Sequence, residues 1–314
     1  MVHNGVQPYT TTLDLMKKHP NYYLRQGGTG TYKKFEKVEY DALIDISAVL
    51  ELKKTAIKDQ YLVIGSGVTF TSLLKFLSNI GSEELSAASV LVELQRVVSS
   101  LASPQVRNIA SLGGSLLWAH PASDLVPLLL AAEAELIIRN TKGEDSMRTL
   151  EAVTRSGLNR GELLVSVRVP LSGRKVKFYK HARRNTADLA IANMGIGFVQ
   201  NGRRLEDVKV YVGGIGIAIE NCKQSGVIEA TQLGMLIADQ ENLSSLTVDS
   251  ICSKIEQDFS SAFDDISSLD KTAFRISLAA GFVLKFIDFV LGNEVSPDVS
   301  KDPLKFHQLY EKTP

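Results

Sequence analysis

Two glycine-rich segments, Gly27-Gly28-Thr29-Gly30-Thr31 and Ser111-Leu112-Gly113-Gly114-Ser115, lie 84 positions apart (27 to 111), and Ser123-Asp124 follows the second. Glycines in a turn let backbone N–H groups approach an oxygen-rich ligand that a Cβ would hold away. Two such turns on separate segments predict a long, phosphate-containing ligand gripped from both sides, with the following carboxylate placed to take a sugar hydroxyl. That outline suits a dinucleotide, but the spacing rejects the doubly wound dinucleotide fold. G-x-G-x-x-G requires glycine at 33 after Gly28 and Gly30, and Lys33 stands there. After Gly65 and Gly67 it requires glycine at 70, which is Phe70, and Gly214 and Gly216 are followed by Ile219. None completes the fingerprint, and no GxxxxGK[ST] phosphate loop is present. A single Gly-Gly pair reads as a plain turn. Two together point towards a site, and on residue grounds alone both readings stay open.

The rest of the composition narrows the partners. The 314 residues suffice for two or three subdomains with a sizeable core, at 44% hydrophobic and 22% charged. Lys plus Arg (35) balances Asp plus Glu (35), so net charge supplies no attraction to nucleic acid or to an anionic membrane. The two cysteines, Cys222 and Cys252, are too few for an iron–sulfur cluster, which takes about four, and form no CxxC pair. They read as small buried apolar residues in a reducing, cytoplasmic setting. Five scattered histidines make no metal cluster, and no Ser–His–Asp or Cys–His arrangement for covalent hydrolysis is recognisable. The polar stretch 1–12 lacks the apolar region of a signal peptide. Residues 276–290 are interrupted by Lys285 and Asp288 and fall short of the ~20 residues a membrane span needs, so they predict a buried helix.

Periodicity predicts strands over 23–26, 43–46 and 61–64, the last closed by Gly65-Ser66-Gly67, then a helix from Thr69 with Leu73, Leu74 and Leu77 on one face. A second helix is expected over 83–102, ending before Pro104, and residues 106–112 lead into the second glycine turn. Ser123 or Asp124 caps a helix with an apolar body over 125–132, and strands follow at 135–139 and 163–169. A polar turn at 172–175 marks the main boundary. Beyond it come three strands of an antiparallel sheet (177–181, 190–200, 207–212), helices at 230–239, 248–263 and 272–291, and a tail or linker over 293–314.

Residues 105–128 read Q-V-R-N-I-A-S-L-G-G-S-L-L-W-A-H-P-A-S-D-L-V-P-L. This resembles the central motif of the FAD-binding (PCMH-type) domain of the xanthine dehydrogenase and aldehyde oxidase family, Q-[VI]-[RK]-[NS]-x-A-[ST]-[LV]-G-G followed by S-D-L. The similarity extends over roughly residues 20–290. Leu24 to Tyr32 is similar to the first FAD loop, and His181-Ala182-Arg183-Arg184 with Met194-Gly195 to the following strand region. Tyr211-Val212-Gly213-Gly214 is similar to a later strand end, and Phe274-Arg275 with Phe282 to Phe286 to the closing helix.

The resemblance implies an α+β, two-lobed PCMH-type fold over 1–172, then an antiparallel-sheet and helix subdomain over 173–292. It implies that Gly27, Gly28, Thr29, Gly30 and Thr31 hold the FAD pyrophosphate through backbone N–H groups. Ser111, Leu112, Gly113, Gly114 and Ser115 would grip the phosphate and ribityl region, and Asp124 would accept from ribityl or ribose hydroxyls. Leu189 or Ala190 would pack near the flavin ring. Many members have an aromatic residue where Leu101 stands, whose absence forfeits a stacking surface worth about 1 kcal/mol, and an Asn where Ser115 stands. The implied activity is that of an FAD-dependent oxidoreductase module. It would take electrons from iron–sulfur and molybdenum cofactor subunits and pass them to NAD or oxygen, like the medium flavoprotein subunit of split molybdenum hydroxylases. No catalytic side chain is then needed, because the redox chemistry is the flavin's. The alternative is an FAD-domain remnant serving as a binding or scaffold protein.

Three further features have plainer readings. His120 reads as a loop histidine bonded to backbone rather than a base, and Trp118 as a core residue rather than a stacking platform. Lys180, His181, Arg183 and Arg184 read as a solvated strand end, or else as a dock for an anionic substrate or partner.

Overall fold

A computed structural model of the chain describes residues 2–3, 9–30, 40–83, 88–118, 120–184, 187–202, 204–214, 226–238, 242–262 and 272–292. Thr31, Cys222 and the expected tail over 293–314 lie outside them. Three sheets, each with its own apolar cluster, organise these residues.

The first sheet holds β1 (Val2–His3), β2 (Tyr22–Arg25) and β3 (Ala42–Asp45) in the order β1-β3-β2, all parallel, with α1 (Tyr9–Lys18) joining β1 to β2. Leu13 and Met16 of α1, Ile44 of β3 and Leu52 in the following 3₁₀ turn close its small core.

The second sheet is antiparallel in the order β4-β5-β8-β6-β7: β4 (Thr55–Lys58), β5 (Tyr61–Gly65), β6 (Glu135–Asn140), β7 (Asp145–Thr149) and β8 (Glu162–Pro170). Between β5 and β6 the chain builds the helices α2 (Phe70–Ser78), α3 (Ser89–Ser100), α4 (Pro104–Arg107), α5 (Leu112–Trp118) and α6 (Leu125–Ala131); α7 (Leu150–Ser156) follows β7. The Thr69 hydroxyl caps α2 by accepting from the Ser72 amide, as the sequence position suggests. All seven residues of α6 are buried, so it runs through the interior. Its Pro127 is tolerated because the first-turn amides of a helix have no intrahelical acceptor.

The third sheet, β12-β11-β10-β9, is antiparallel: β9 (Lys175–His181), β10 (Ala192–Asn201), β11 (Arg204–Gly213) and β12 (Ile228–Glu229). The two-residue β12 adds a fourth strand to the three expected. Helices α8 (Thr231–Ala238), α9 (Val248–Ala262) and α10 (Thr272–Leu291) accompany it, and α6 packs against β9, β10 and β11. Ile276, Ala279, Ala280, Val283, Phe286 and Ile287 face the third cluster at helical spacing. Among the described residues no helix is long and apolar enough to cross a membrane.

Several local expectations are corrected. The helix expected over 83–102 forms at Ser89–Ser100, and residues 84–87 lie outside the described set. The approach to the second glycine segment carries a short helix that was not anticipated: the Ser103 hydroxyl caps α4 by accepting from Val106, with Pro104 at its first position. The second glycine segment is not a turn but the opening of helix α5. The Ser111 hydroxyl accepts from the Gly114 amide at 3.2 Å, and its carbonyl accepts from Ser115 at 3.0 Å. α1, α7, β1, β4 and β7 were not anticipated. β7 reads DSMRT, an exposed polar edge strand with no apolar alternation to betray it.

Candidate functional site

A cavity of about 450 Å³ opens where the end of β2, the helices α5 and α6 and the β9–β10 connection meet, a size typical of a cofactor cleft. Gly27, Gly28, Thr29, Gly30, Leu101, Ser111, Gly113, Gly114, Ser115, Asp124 and Leu189 all line it. Thr31 lies outside the described residues. Leu112 does not reach the cavity: its side chain is fully buried in the second cluster, beneath the surface its neighbours form. Ala190 is likewise buried.

The two glycine segments meet because glycine permits it. A Cβ on Gly27 would overlap the carbonyl of Ile109, just before the second segment, and one on Gly113 would stand 2.6 Å from the Ser66 Cβ. Their amides differ in availability. Among the described residues, those of Gly27, Gly28, Thr29 and Gly30 donate to no protein acceptor. In the second segment Leu112 donates to the Val68 carbonyl (3.0 Å), Gly113 to Ser66 (2.9 Å), Gly114 to the Ser111 hydroxyl and Ser115 to the Ser111 carbonyl. The expectation that main-chain amides of this segment grip a ligand is corrected accordingly for 112–115, since the short helix and its neighbours already use them. What this segment presents is hydroxyl groups and the open surface of Gly114, whose would-be Cβ meets only the Ser111 Oγ, at 3.1 Å.

Beside these segments two polar atoms are orphaned. The Gln26 Oε1 and the Ser66 Oγ are buried without a partner among the described residues, and both residues line the cavity. Leaving such groups unmatched costs about 1–3 kcal/mol each, so a ligand that bonds to them recovers that loss.

Asp124 holds the N-cap position of α6 but does not cap it; the Ser123 hydroxyl accepts from Val126 at 3.4 Å instead. The Asp124 carboxylate, 3% exposed, accepts from the Lys180 Nζ at 2.5 Å and the Asn193 Nδ2 at 2.9 Å. Burial pushes its pKa up, opposed first by the Lys180 charge and then by hydrogen bonds from Lys180 and Asn193. Lys180 also donates to the Asp188 carbonyl at 2.8 Å, tying α6 to the cavity wall that carries Leu189. Lys180 is therefore not a solvated strand end. Lys180 and Asn193 are the polar partners that reading the sequence missed. The signal lay in strand alternation: Val176 and Phe178 share a face with Lys180 and are buried, and a lysine on an apolar face requires a partner.

The remaining wall is apolar. Leu117, Trp118 and Leu189 line the cavity with 36% to 55% of their surface exposed, so Trp118 is a wall residue and not a core one. His120 accepts from the Ala122 amide at Nδ1 (3.1 Å), as a backbone-bonded loop histidine. Ala102 and Ala187, both lining the cavity, hold left-handed backbone conformations (φ 43° and 55°) that L-residues rarely adopt. Arg107 braces the first corner by donating to the Leu101 and Ala102 carbonyls at 2.6 and 2.7 Å. Among the described residues no His, Cys, Asp and Glu grouping suited to a metal is found.

Residues 7–172 match the family model described as "FAD binding domain in molybdopterin dehydrogenase", and residues 177–290 match "CO dehydrogenase flavoprotein C-terminal domain". Aldehyde oxidase 3 of Rattus norvegicus is 30% identical over 223 residues, covering 67% of this chain and 17% of the relative. Xanthine dehydrogenase of Emericella nidulans is 26% identical over 289 residues, covering 89% of this chain and 20% of the relative. The chain thus spans about a fifth or less of the length of these relatives. In fold it is similar to a chain of quinoline 2-oxidoreductase from Pseudomonas putida 86, with TM-score 0.70 and 19% identity over 93% of this chain and 99% of that one. It is also similar to a chain of carbon monoxide dehydrogenase from Hydrogenophaga pseudoflava, with TM-score 0.69 and 18% identity over 90% and 93%.

Proposed function

The chain belongs to the family of the FAD binding domain in molybdopterin dehydrogenase, and from that premise we propose that it is the flavin-holding electron-transfer module of a molybdenum-hydroxylase-type oxidoreductase. The observation that carries this reading is that both glycine segments line one and the same cavity. It fits FAD by its size, by the amides of Gly27 to Gly30 and by the Gln26 and Ser66 atoms, all without a hydrogen-bond partner among the described residues.

In this reading the amides of Gly27, Gly28, Thr29 and Gly30, continued by Thr31, take the pyrophosphate. The hydroxyls of Ser111 and Ser115 lie along the same ligand, and Gly114 keeps the passage clear, while Leu112 supports them from the core. Each Asp124 oxygen receives one protein hydrogen bond and retains acceptor capacity, enough for a ribityl or ribose hydroxyl. Leu101 and Leu189 form apolar walls that exclude water from the flavin ring. FAD bound there supplies the redox chemistry, accepting electrons and returning them. The protein binds, orients and shields, so no catalytic side chain is assigned. The same reading takes 1–172 as the cofactor-binding part and 173–292 as the flavoprotein subdomain. It gives the module iron–sulfur and molybdenum cofactor subunits as electron donors, NAD or oxygen as acceptor, and a cytoplasmic setting.

The absorbance spectrum of the purified protein tests this. Flavin bands that bleach anaerobically, with NADH or with a reduced iron–sulfur partner, support it. Flavin bands that no donor bleaches favour the second reading, a binding or scaffold protein, which the aliphatic Leu101 and the Ser115 substitution motivate. A colourless protein that stays colourless with added FAD refutes the proposal.

A further inference from the structure

We propose that Arg25 is a phosphate-recognition residue, its guanidinium donating to the pyrophosphate of the dinucleotide seated at Gly27 to Gly30; this rests on reading the cavity as the FAD site. Arg25 ends β2 and lines the cavity immediately before the glycine loop. Its Nε stands 2.9 Å from where a Cβ of Gly28 would lie, so the guanidinium rests against the loop at a residue with φ +75°. Among the described residues lining the cavity, it is the single lysine or arginine.

The carboxylates on that lining are already matched. Asp124 is held by Lys180 at 2.5 Å, and Asp188 accepts from the amides of Arg184 and Leu189 at 3.1 and 3.0 Å. The carboxylate beside Arg25 is Asp45, at 3.7 Å, too long for a hydrogen bond. The Oδ1 of Asp45 is taken by the Ser47 amide at 2.8 Å. The Arg25 side chain is 43% exposed, so its planar fork of donors can turn towards an incoming phosphate and engage it through two parallel bonds. Amides that donate to no acceptor among the described residues, beside a cation held only by a 3.7 Å ion pair with Asp45, make a seat for a diphosphate rather than for a neutral ring.

The test titrates apo-protein with FAD and with riboflavin, which lacks the phosphates, following fluorescence of Trp118, the chain's one tryptophan and a cavity residue. Arg25→Gln should weaken FAD about 10- to 100-fold, the scale of one hydrogen bond to a charged group, and leave riboflavin unchanged. Arg25→Lys should recover part of the loss. Because the contact is ionic, the salt dependence of FAD affinity should flatten in Arg25→Gln, which decides the matter if riboflavin binds too weakly to follow. Unchanged FAD affinity or an unchanged salt slope in Arg25→Gln, with wild type binding normally, overturns this proposal alone. An equal loss of FAD and riboflavin, marking a structural role, does the same. A wild-type protein that binds no FAD overturns the reading of the cavity as well.

Discussion

Adjacent glycines of the second segment should fail in opposite ways when each is replaced by valine. At Gly113 a Cβ would stand 2.6 Å from the Ser66 Cβ, 2.8 Å from the Ser66 carbonyl oxygen and 3.0 Å from its Cα. Backbone cannot yield cheaply there, and overpacking of this kind costs about 1–3 kcal/mol or more. At Gly114 the same atom meets only the Ser111 hydroxyl, at 3.1 Å. Moving that hydroxyl weakens the cap of α5, a loss of about 0.5–2 kcal/mol, while replacing a helical glycine by valine returns about 0.3–0.5 kcal/mol. Gly114→Val should therefore fold with stability within about 1.5 kcal/mol of wild type. Its side chain enters the cavity, and we expect FAD affinity to drop at least ~100-fold, about 2.8 kcal/mol. Urea denaturation of the apo-proteins measures the first quantity, and flavin absorbance after dialysis against FAD measures the second. A folded Gly114→Val protein that retains the wild-type ratio of FAD to protein would refute the placement of the cofactor.

Other perturbations separate the remaining interactions. Lys180→Met should destabilise by about 3 kcal/mol, the low end for a broken buried pair because Lys180 keeps 17% exposure. Asp124→Asn in the same chain should restore part of that, and strictly additive losses in urea unfolding would contradict the coupling. Burial, helped by the nearby Lys285 charge, holds the His181 imidazole below its ordinary value. The unfolded chain then takes up that proton first as pH falls, so the stability due to His181 is complete above about pH 6.5 and declines below it. Thermal melts at about pH 7.5 and about pH 5.5 should show a smaller difference for His181→Gln than for wild type, and an equal difference would count against this assignment. Leu101→Phe adds a ring to the cavity wall and should tighten FAD by about 1 kcal/mol, read by fluorescence titration.

How far the sequence could be read depended on how local the cause of each feature was. The strand ending at Arg25, the helix capped by Thr69, the apolar body of α6 and the helix from Thr272 to Leu291 were legible because capping residues and apolar spacing act within a few positions. The meeting of the two glycine segments at one cavity was anticipated from residue type and motif. The helical state of 112–118 was not, because its glycines read as a turn until the Ser111 cap and the packing on Ser66 are seen. β7 was silent for lack of apolar alternation, and β4, an edge strand reading TAIK with no fully buried residue, for the same reason. Lys180 showed only as part of a basic group.

From sequence alone follow the family, the α+β layout and the two glycine segments, because they are written in contiguous residues whose spacing carries the physics. Tertiary structure alone decided which amides stay available, that Leu112 packs in the core rather than on the cavity wall, and that Asp124 is paired with a lysine 56 positions away. Hydrogen-bond partners and desolvation depend on which distant residues the fold brings within about 3 Å, and no spacing along the chain encodes that distance.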